Sequence, residues 1–141
     1  MKKILSFIFT AIFILLFVFQ ATVFAAQAET FSARNNNTSF TVTSFNVYEG
    51  GRAIVHVKYS GYAGITTGAK ISITIKKNTF LWFYSTVVDE TYNIVGEDYS
   101  ESYYYDLSDS GSGTYKCNVT YTISGNGGAD DVIPFEDKQS Y

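Results

Sequence analysis

The sequence predicts an all-β domain, an antiparallel two-sheet sandwich of about seven strands. Three observations carry that expectation. From Phe40 onward apolar and polar residues alternate with a period of two almost everywhere, the mark of half-buried strands. Segments rich in Gly, Asn and Ser separate these runs at short spacing, as turns in an antiparallel sandwich do. No segment of that region keeps the i, i+3, i+4 spacing of an amphipathic helix. A small open β-barrel would give similar periodicities and is the alternative architecture.

The strands follow in order. Phe40 and Val42 alternate with Thr41 and Thr43, and Phe45 and Val47 continue on the opposite parity, which predicts a bulge or a change of sheet around Ser44. Glu49-Gly50-Gly51 makes a turn. Ala53, Val55, Val57 and Tyr59 then form a core face, with Arg52, His56 and Lys58 opposite. Ser60 to Gly68 reads as a loop, and Ile71, Ile73 and Ile75 alternate with Lys70, Ser72, Thr74 and Lys76 in a strand with one face in and one out. Lys77-Asn78-Thr79 is short enough for a hairpin turn.

Phe80-Leu81-Trp82-Phe83-Tyr84 departs from the alternation by being apolar on both faces. Its structural reading is a strand near the sheet centre whose second face is covered by a loop or by the N-terminal leader. Its functional reading is that Trp82 and Tyr84 stand exposed as a patch for a ligand or partner. Asp89 to Glu101 is acidic and turn-rich; Tyr103 and Tyr105 follow on one side of a strand, and Ser108 to Gly113 is a loop by composition. Tyr115, Cys117, Val119, Tyr121 and Ile123 alternate with polar residues in the clearest strand of the chain. After the glycine-rich turn Ser124 to Ala129, Pro134 confines the last strand to an edge.

The N-terminus has a different character. Met1-Lys2-Lys3 precedes an apolar run from Ile4 to Phe19 and two small-residue cleavage positions, after Ala25 and after Ala28. Residues 1–28 are therefore expected to be a signal peptide, 29–38 a flexible leader, and 39–141 a single sandwich domain. An uncleaved membrane anchor is the alternative. Either way the basic head stays on the cytoplasmic side and the rest of the chain is exported. With no Leu-Pro-x-Thr-Gly sorting motif and no hydrophobic C-terminal tail, release into the medium is expected.

Charge and cysteine content narrow the function classes. The formal net charge of the chain is −3, and because the signal peptide carries Lys2 and Lys3 but no acid, the exported part is more acidic still. No basic stripe or polybasic cluster appears in the sequence, which argues against nucleic acid and anionic lipid as partners and for no membrane association after signal cleavage. Cys117 is the only cysteine, so no intramolecular disulfide can form and the core must supply the stability.

The run Asp109-Ser110-Gly111-Ser112-Gly113-Thr114-Tyr115-Lys116-Cys117 resembles the approach to the penultimate strand of the immunoglobulin fold. In that fold a tyrosine two residues before the cysteine bonds back to the upstream backbone and locks a corner; the resemblance assigns this role to Tyr115 and the adjoining core position to Cys117. More loosely, the chain resembles short secreted proteins of Firmicutes that combine a signal peptide, a cationic-faced strand and a late strand of the form Gly-x-Tyr-x-x-x-Val-x-Tyr, here Gly113 to Tyr121. The resemblance implies a secreted immunoglobulin-like sandwich and brings no activity or site with it.

Catalytic signals are absent from the sequence. His56 is the only histidine, and no nucleophile elbow, phosphate loop or His-Glu-x-x-His occurs, so no enzyme activity and no cofactor are expected. Asp130-Asp131 and Glu136-Asp137 would be the acids for a calcium site, but they match no defined loop and read as solubilising charge. What remains is a structural or protein-interaction module of unknown partner. The alternative is a carbohydrate-binding module that stacks Trp82, Tyr84, Tyr103 and Tyr105 on a glycan, with a secreted toxin or antimicrobial protein ranked below both.

Overall fold

The computed structural model describes residues 35–141. The expected signal peptide, its cleavage positions and residues 29–34 of the leader lie outside the described residues. The strands are β1 (Thr38–Val47), β2 (Arg52–Gly61), β3 (Thr66–Phe80), β4 (Phe83–Val95), β5 (Asp98–Asp106), β6 (Thr114–Gly125) and β7 (Asp131–Ser140), with one short 3-10 turn at Ser108–Ser110. They form two antiparallel sheets, β1-β2-β5 and β4-β3-β6-β7. The sheets do not join into a barrel. The immunoglobulin-like sandwich is thus the architecture, with one feature of its own: β4 stays on the sheet of β3, where the constant-type immunoglobulin arrangement puts its fourth strand on the other sheet. A two-residue turn at Leu81-Trp82 makes β3 and β4 hydrogen-bonded neighbours, as such turns do.

The core lies between the sheets and uses the predicted faces. Ala53, Val55, Val57 and Tyr59 of β2 meet Ile71, Ile73 and Ile75 of β3 and Tyr115, Cys117, Val119, Tyr121 and Ile123 of β6, all buried. At Tyr115 the hydroxyl donates to the Gly111 carbonyl four residues upstream, the backward bond of a tyrosine corner. Burial, with a smaller contribution from Asp137, pushes the Cys117 thiol up to about 12.

β1 departs from expectation. Its pairing with β2 is regular through Ser44, and the bulge falls between Thr38 and Phe40. Phe40 and Val42 point outward, 44% and 48% exposed, while Thr43 lies on the inner side with its hydroxyl 2.6 Å from that of Tyr121. The parity change in the sequence reflects an inward threonine that serves a buried tyrosine, not a break in the strand. Outward apolar residues are tolerated here because Lys58 lies over the Phe40 ring, 5.4 Å from its centroid.

The last residues of the expected leader are fastened. The Asp131 carboxylate accepts the backbone N–H groups of Asn36 and Asn37 at 2.8 and 2.7 Å. The buried Asn37 amide donates to the carbonyls of Ala129 and Ile123 and accepts from the Gly127 N–H. Gly127 must be glycine for this contact, since a Cβ there would lie 2.1 Å from the Asn36 carbonyl oxygen.

Truncating Ile73 on the central strand removes fully buried methyl groups, so Ile73→Ala should lower the unfolding free energy by about 2–5 kcal/mol in urea titration. The Cys117 thiol should resist an aromatic disulfide reagent at pH 8 and react at once in denaturant; fast reaction of the native protein would contradict its burial.

Candidate functional site

At the end of the β3–β4 hairpin, β3 pairs with β6 only as far as Lys77 opposite Tyr115; beyond it, Asn78 to Phe80 pair with β4 alone. The hairpin therefore overhangs the sheet by three residues, about 10 Å at the strand rise of ~3.3 Å per residue. Phe80, Leu81, Trp82 and Phe83 at the tip are 65%, 62%, 73% and 58% exposed. The tip is not a covered central strand: β4 is an edge strand, and the expected turn at Lys77-Asn78-Thr79 moves four residues on. The apolar run looks two-sided because it turns a corner in solvent.

The turn has an unfavourable backbone. Leu81, at φ 51°, is the only non-glycine residue with positive φ among the described residues, a conformation costing about 1–2 kcal/mol for a side chain of this kind. The Asn78 side-chain amide donates to the Leu81 carbonyl at 2.7 Å and the Thr79 hydroxyl to that of Phe83 at 3.3 Å, so the tip is braced from behind. Trp82 and Phe83 lie 6.0 Å apart between ring centroids at 32°.

Behind the tip, on the outer face of the four-stranded sheet, Lys76, Lys116 and Lys138 stand directly opposite one another across β3, β6 and β7. Like charges in that register destabilise a sheet. One carboxylate answers them: Glu136 lies 3.4 Å from Lys116 and 4.0 Å from Lys138. A hydrogen bond from Asn118, and after it the two lysines, hold the Glu136 carboxyl below the usual carboxylate range. The Lys116 ammonium also sits 5.1 Å from the centroid of the Tyr84 ring, which ties Tyr84 to the lysine row. No polybasic segment exists in the sequence; three strands assemble this row.

Tyr103 and Tyr105 belong elsewhere. The acidic stretch read as turn-rich is mostly strand, since β4 continues to Val95 and β5 resumes at Asp98, leaving a tight turn between them. β4 and β5 are edge strands of different sheets, and tyrosines fill the seam between them. Tyr103 stacks on Tyr92 at 4.0 Å, Tyr99 stacks on Tyr59 at 6.3 Å, and the Tyr99 and Tyr103 hydroxyls lie 2.8 Å apart. Tyr92 and Tyr105 both donate to Glu90. Glu90 lies six residues along β4 from Tyr84, so the seam is about 20 Å from Tyr84 at the same strand rise and farther still from the tip. The four aromatic candidates thus divide into Trp82 and Tyr84 at the tip and Tyr103 and Tyr105 in the seam. Tyr92 escaped the sequence reading, and Glu90 entered it only as one acid of the acidic stretch, not as a partner of tyrosines. Their only signal is the shared parity of Val88, Glu90, Tyr92 and Ile94, opposite Ile75, Ile73, Ile71 and Ala69.

The remaining candidates are structural. His56 lies on the outer face of the three-stranded sheet with Nδ1 3.1 Å from the Ser102 hydroxyl, and Asp131 is committed to the Asn36 and Asn37 backbone. Among the described residues no group of three or more His, Cys, Asp or Glu side chains is placed to hold a metal ion.

Burial first, and neighbouring tyrosines after it, raises Tyr103 and Tyr105 well above the ordinary value of 10.0. A raised folded-state value means the folded protein holds these protons more tightly than the unfolded chain. Their contribution is complete below pH ~10 and is lost as pH rises above it. Thermal midpoints should fall through the alkaline range, and Tyr105→Phe should flatten that fall; an unchanged alkaline slope in the variant would contradict this role.

No protein-family model matches the chain, and no curated protein matches it. Among solved structures, β-glucosidase 3B of Thermotoga neapolitana in complex with glucose is similar with a TM-score of 0.41 and 12% identity, over 72% of this chain and 16% of that one. A solution structure from Arabidopsis thaliana gives 0.40 and 11%, over 82% of this chain and 90% of that one. The β-glucosidase of Listeria innocua gives 0.39 and 16%, over 69% and 15%. This chain spans only about a sixth of the length of either β-glucosidase.

Proposed function

We propose that the chain is a secreted, non-catalytic interaction module and that the β3–β4 hairpin tip is its contact element. The observation that carries this reading is the tip itself: four consecutive large apolar side chains held in solvent on a strained turn. Such a cluster adds nothing to the core and works against solubility, so its retention points to a surface that covers it. Tyr84, under Lys116, extends the contact onto the sheet.

Carbohydrate binding is the second reading, favoured by the exposure of Trp82. Its neighbouring ring is the tilted Phe83 and not a coplanar tyrosine, and Tyr103 and Tyr105 are taken by the seam. A glycan would therefore stack on Trp82 with little help.

Replacing the tip as a unit (Phe80→Ser, Leu81→Asn, Trp82→Ser, Phe83→Ser) should leave folding stability within about 0.5 kcal/mol of the parent or raise it, because surface changes are small and Asn tolerates positive φ. The same variant should lose at least tenfold in retention on washed cells of the producing strain. Equal retention would sink the proposal. Protection of Trp82 from acrylamide by a soluble wall or plant polysaccharide would instead put the carbohydrate reading first.

A further inference from the structure

Against the sequence expectation of no anionic-lipid partner, which rested on the absence of a polybasic segment, we infer that the surface met by the tip is an anionic lipid bilayer: Phe80, Leu81, Trp82 and Phe83 enter the interface while Lys76, Lys116 and Lys138, aligned by strand register, engage the headgroup phosphates. The inference rests on the proposal that the tip is the contact element and names the partner by its chemistry.

Shape favours a soft phase. A protein partner would need an apolar socket shaped to a narrow hairpin that overhangs its sheet by about 10 Å, whereas a bilayer interface accepts apolar side chains to a depth of about 5–10 Å with no preformed cavity. Tryptophan and its aromatic neighbours are the side chains that settle at headgroup level.

Charge placement supports the same surface. From Lys76 to Val88 there is no acidic residue, in a chain with 13 acids, and the polar residues beside the tip (Asn78, Thr79, Ser85 and Thr86) are uncharged. The lysine row starts at Lys76, opposite Thr86 at the rear of this collar, and lysine stems can extend their ammonium groups toward headgroups while the backbone stays outside. Three lysines aligned across strands oppose folding of the sheet, and Glu136 offsets only part of that repulsion. An array of phosphates offsets the rest. A second copy of the chain is a poorer occupant, because a two-fold contact through the tips would bring one lysine row toward another.

The test uses the purified secreted chain and vesicles of phosphatidylcholine, with and without phosphatidylglycerol. Trp82 is the only tryptophan, so its emission reports the tip directly. With phosphatidylglycerol present the emission should shift to the blue and be quenched by brominated acyl chains. The triple variant Lys76→Gln, Lys116→Gln, Lys138→Gln should bind about a hundredfold more weakly, at roughly fivefold per lysine. Leu81→Asp should abolish the shift. All variants carry the same N-terminus, so differences belong to the tip and the row.

Trp82 emission left at its aqueous position by the anionic vesicles would overturn the inference, as would binding that ignores both headgroup charge and the lysine variant. A blue shift that grows with protein concentration without lipid would assign the tip to self-association instead. If vesicles leave Trp82 unmoved while the tip variant still loses retention on cells, the lipid is wrong and the interaction module stands; if retention is also unchanged, both fall.

Discussion

A buried tyrosine hydroxyl must find a hydrogen-bond partner, and the closure of this sandwich depends on how three of them do so. Tyr59, Tyr115 and Tyr121 are the largest fully buried side chains. None satisfies its hydroxyl within its own strand. Tyr59 reaches the Gly96 carbonyl in the β4–β5 turn, Tyr115 reaches Gly111 in the loop before its strand, and Tyr121 crosses to Thr43 and the Val42 carbonyl on β1. Each ring contributes buried apolar area, and each hydroxyl draws a turn, a loop or an edge strand onto the core. In a chain with one cysteine these bonds hold the periphery without a disulfide.

The tyrosine seam continues the same device at the open side of the sandwich. β4 and β5 are consecutive yet belong to different sheets, so no backbone ladder closes the gap between them. Stacked rings and shared hydroxyls close it instead, with Glu90 as acceptor at its rim. The desolvation that raises the Tyr103 and Tyr105 pKa values keeps their hydroxyls protonated further into the alkaline range than in a free tyrosine. Tyr103 and Tyr105 are therefore part of the scaffold that presents the tip: the Tyr103 ring is stacked on Tyr92, and the Tyr105 hydroxyl is engaged by Tyr92 and Glu90.

The tip and the lysine row run against the rest of the fold. Here a leucine adopts positive φ, four consecutive apolar side chains stand in water, and three lysines share a register. Local choices that oppose folding concentrate where a surface is to be engaged. The tip lies at the far end of β3 from the clamp that fastens Asn36 and Asn37, because Thr66, which bonds the Asn37 carbonyl, begins the strand that Phe80 ends. The described domain thus presents its apolar end away from the point where the chain enters it.

Much of the scaffold was legible in the sequence because a half-buried strand writes its burial into every second residue. The faces of β2, β3 and β6, the edge position of the Pro134 strand, the two-sheet class and the tyrosine before Cys117 follow from residue order alone. β1 misled because an inward threonine that serves a tyrosine on another sheet looks the same as an outward one. The aromatic run from Phe80 misled because periodicity records which residues are apolar and not where the chain turns. What the sequence by itself determined is the set of local patterns: strands, turns, one unpaired cysteine and an acidic balance. Only the tertiary structure decided which patterns meet. Strand pairing brought lysines 40 and 22 positions apart into one row, separated Trp82 and Tyr84 from Tyr103 and Tyr105, and carried four apolar residues past the end of the sheet. The physical reason is that register and sheet assignment are set by contacts between residues distant in the chain.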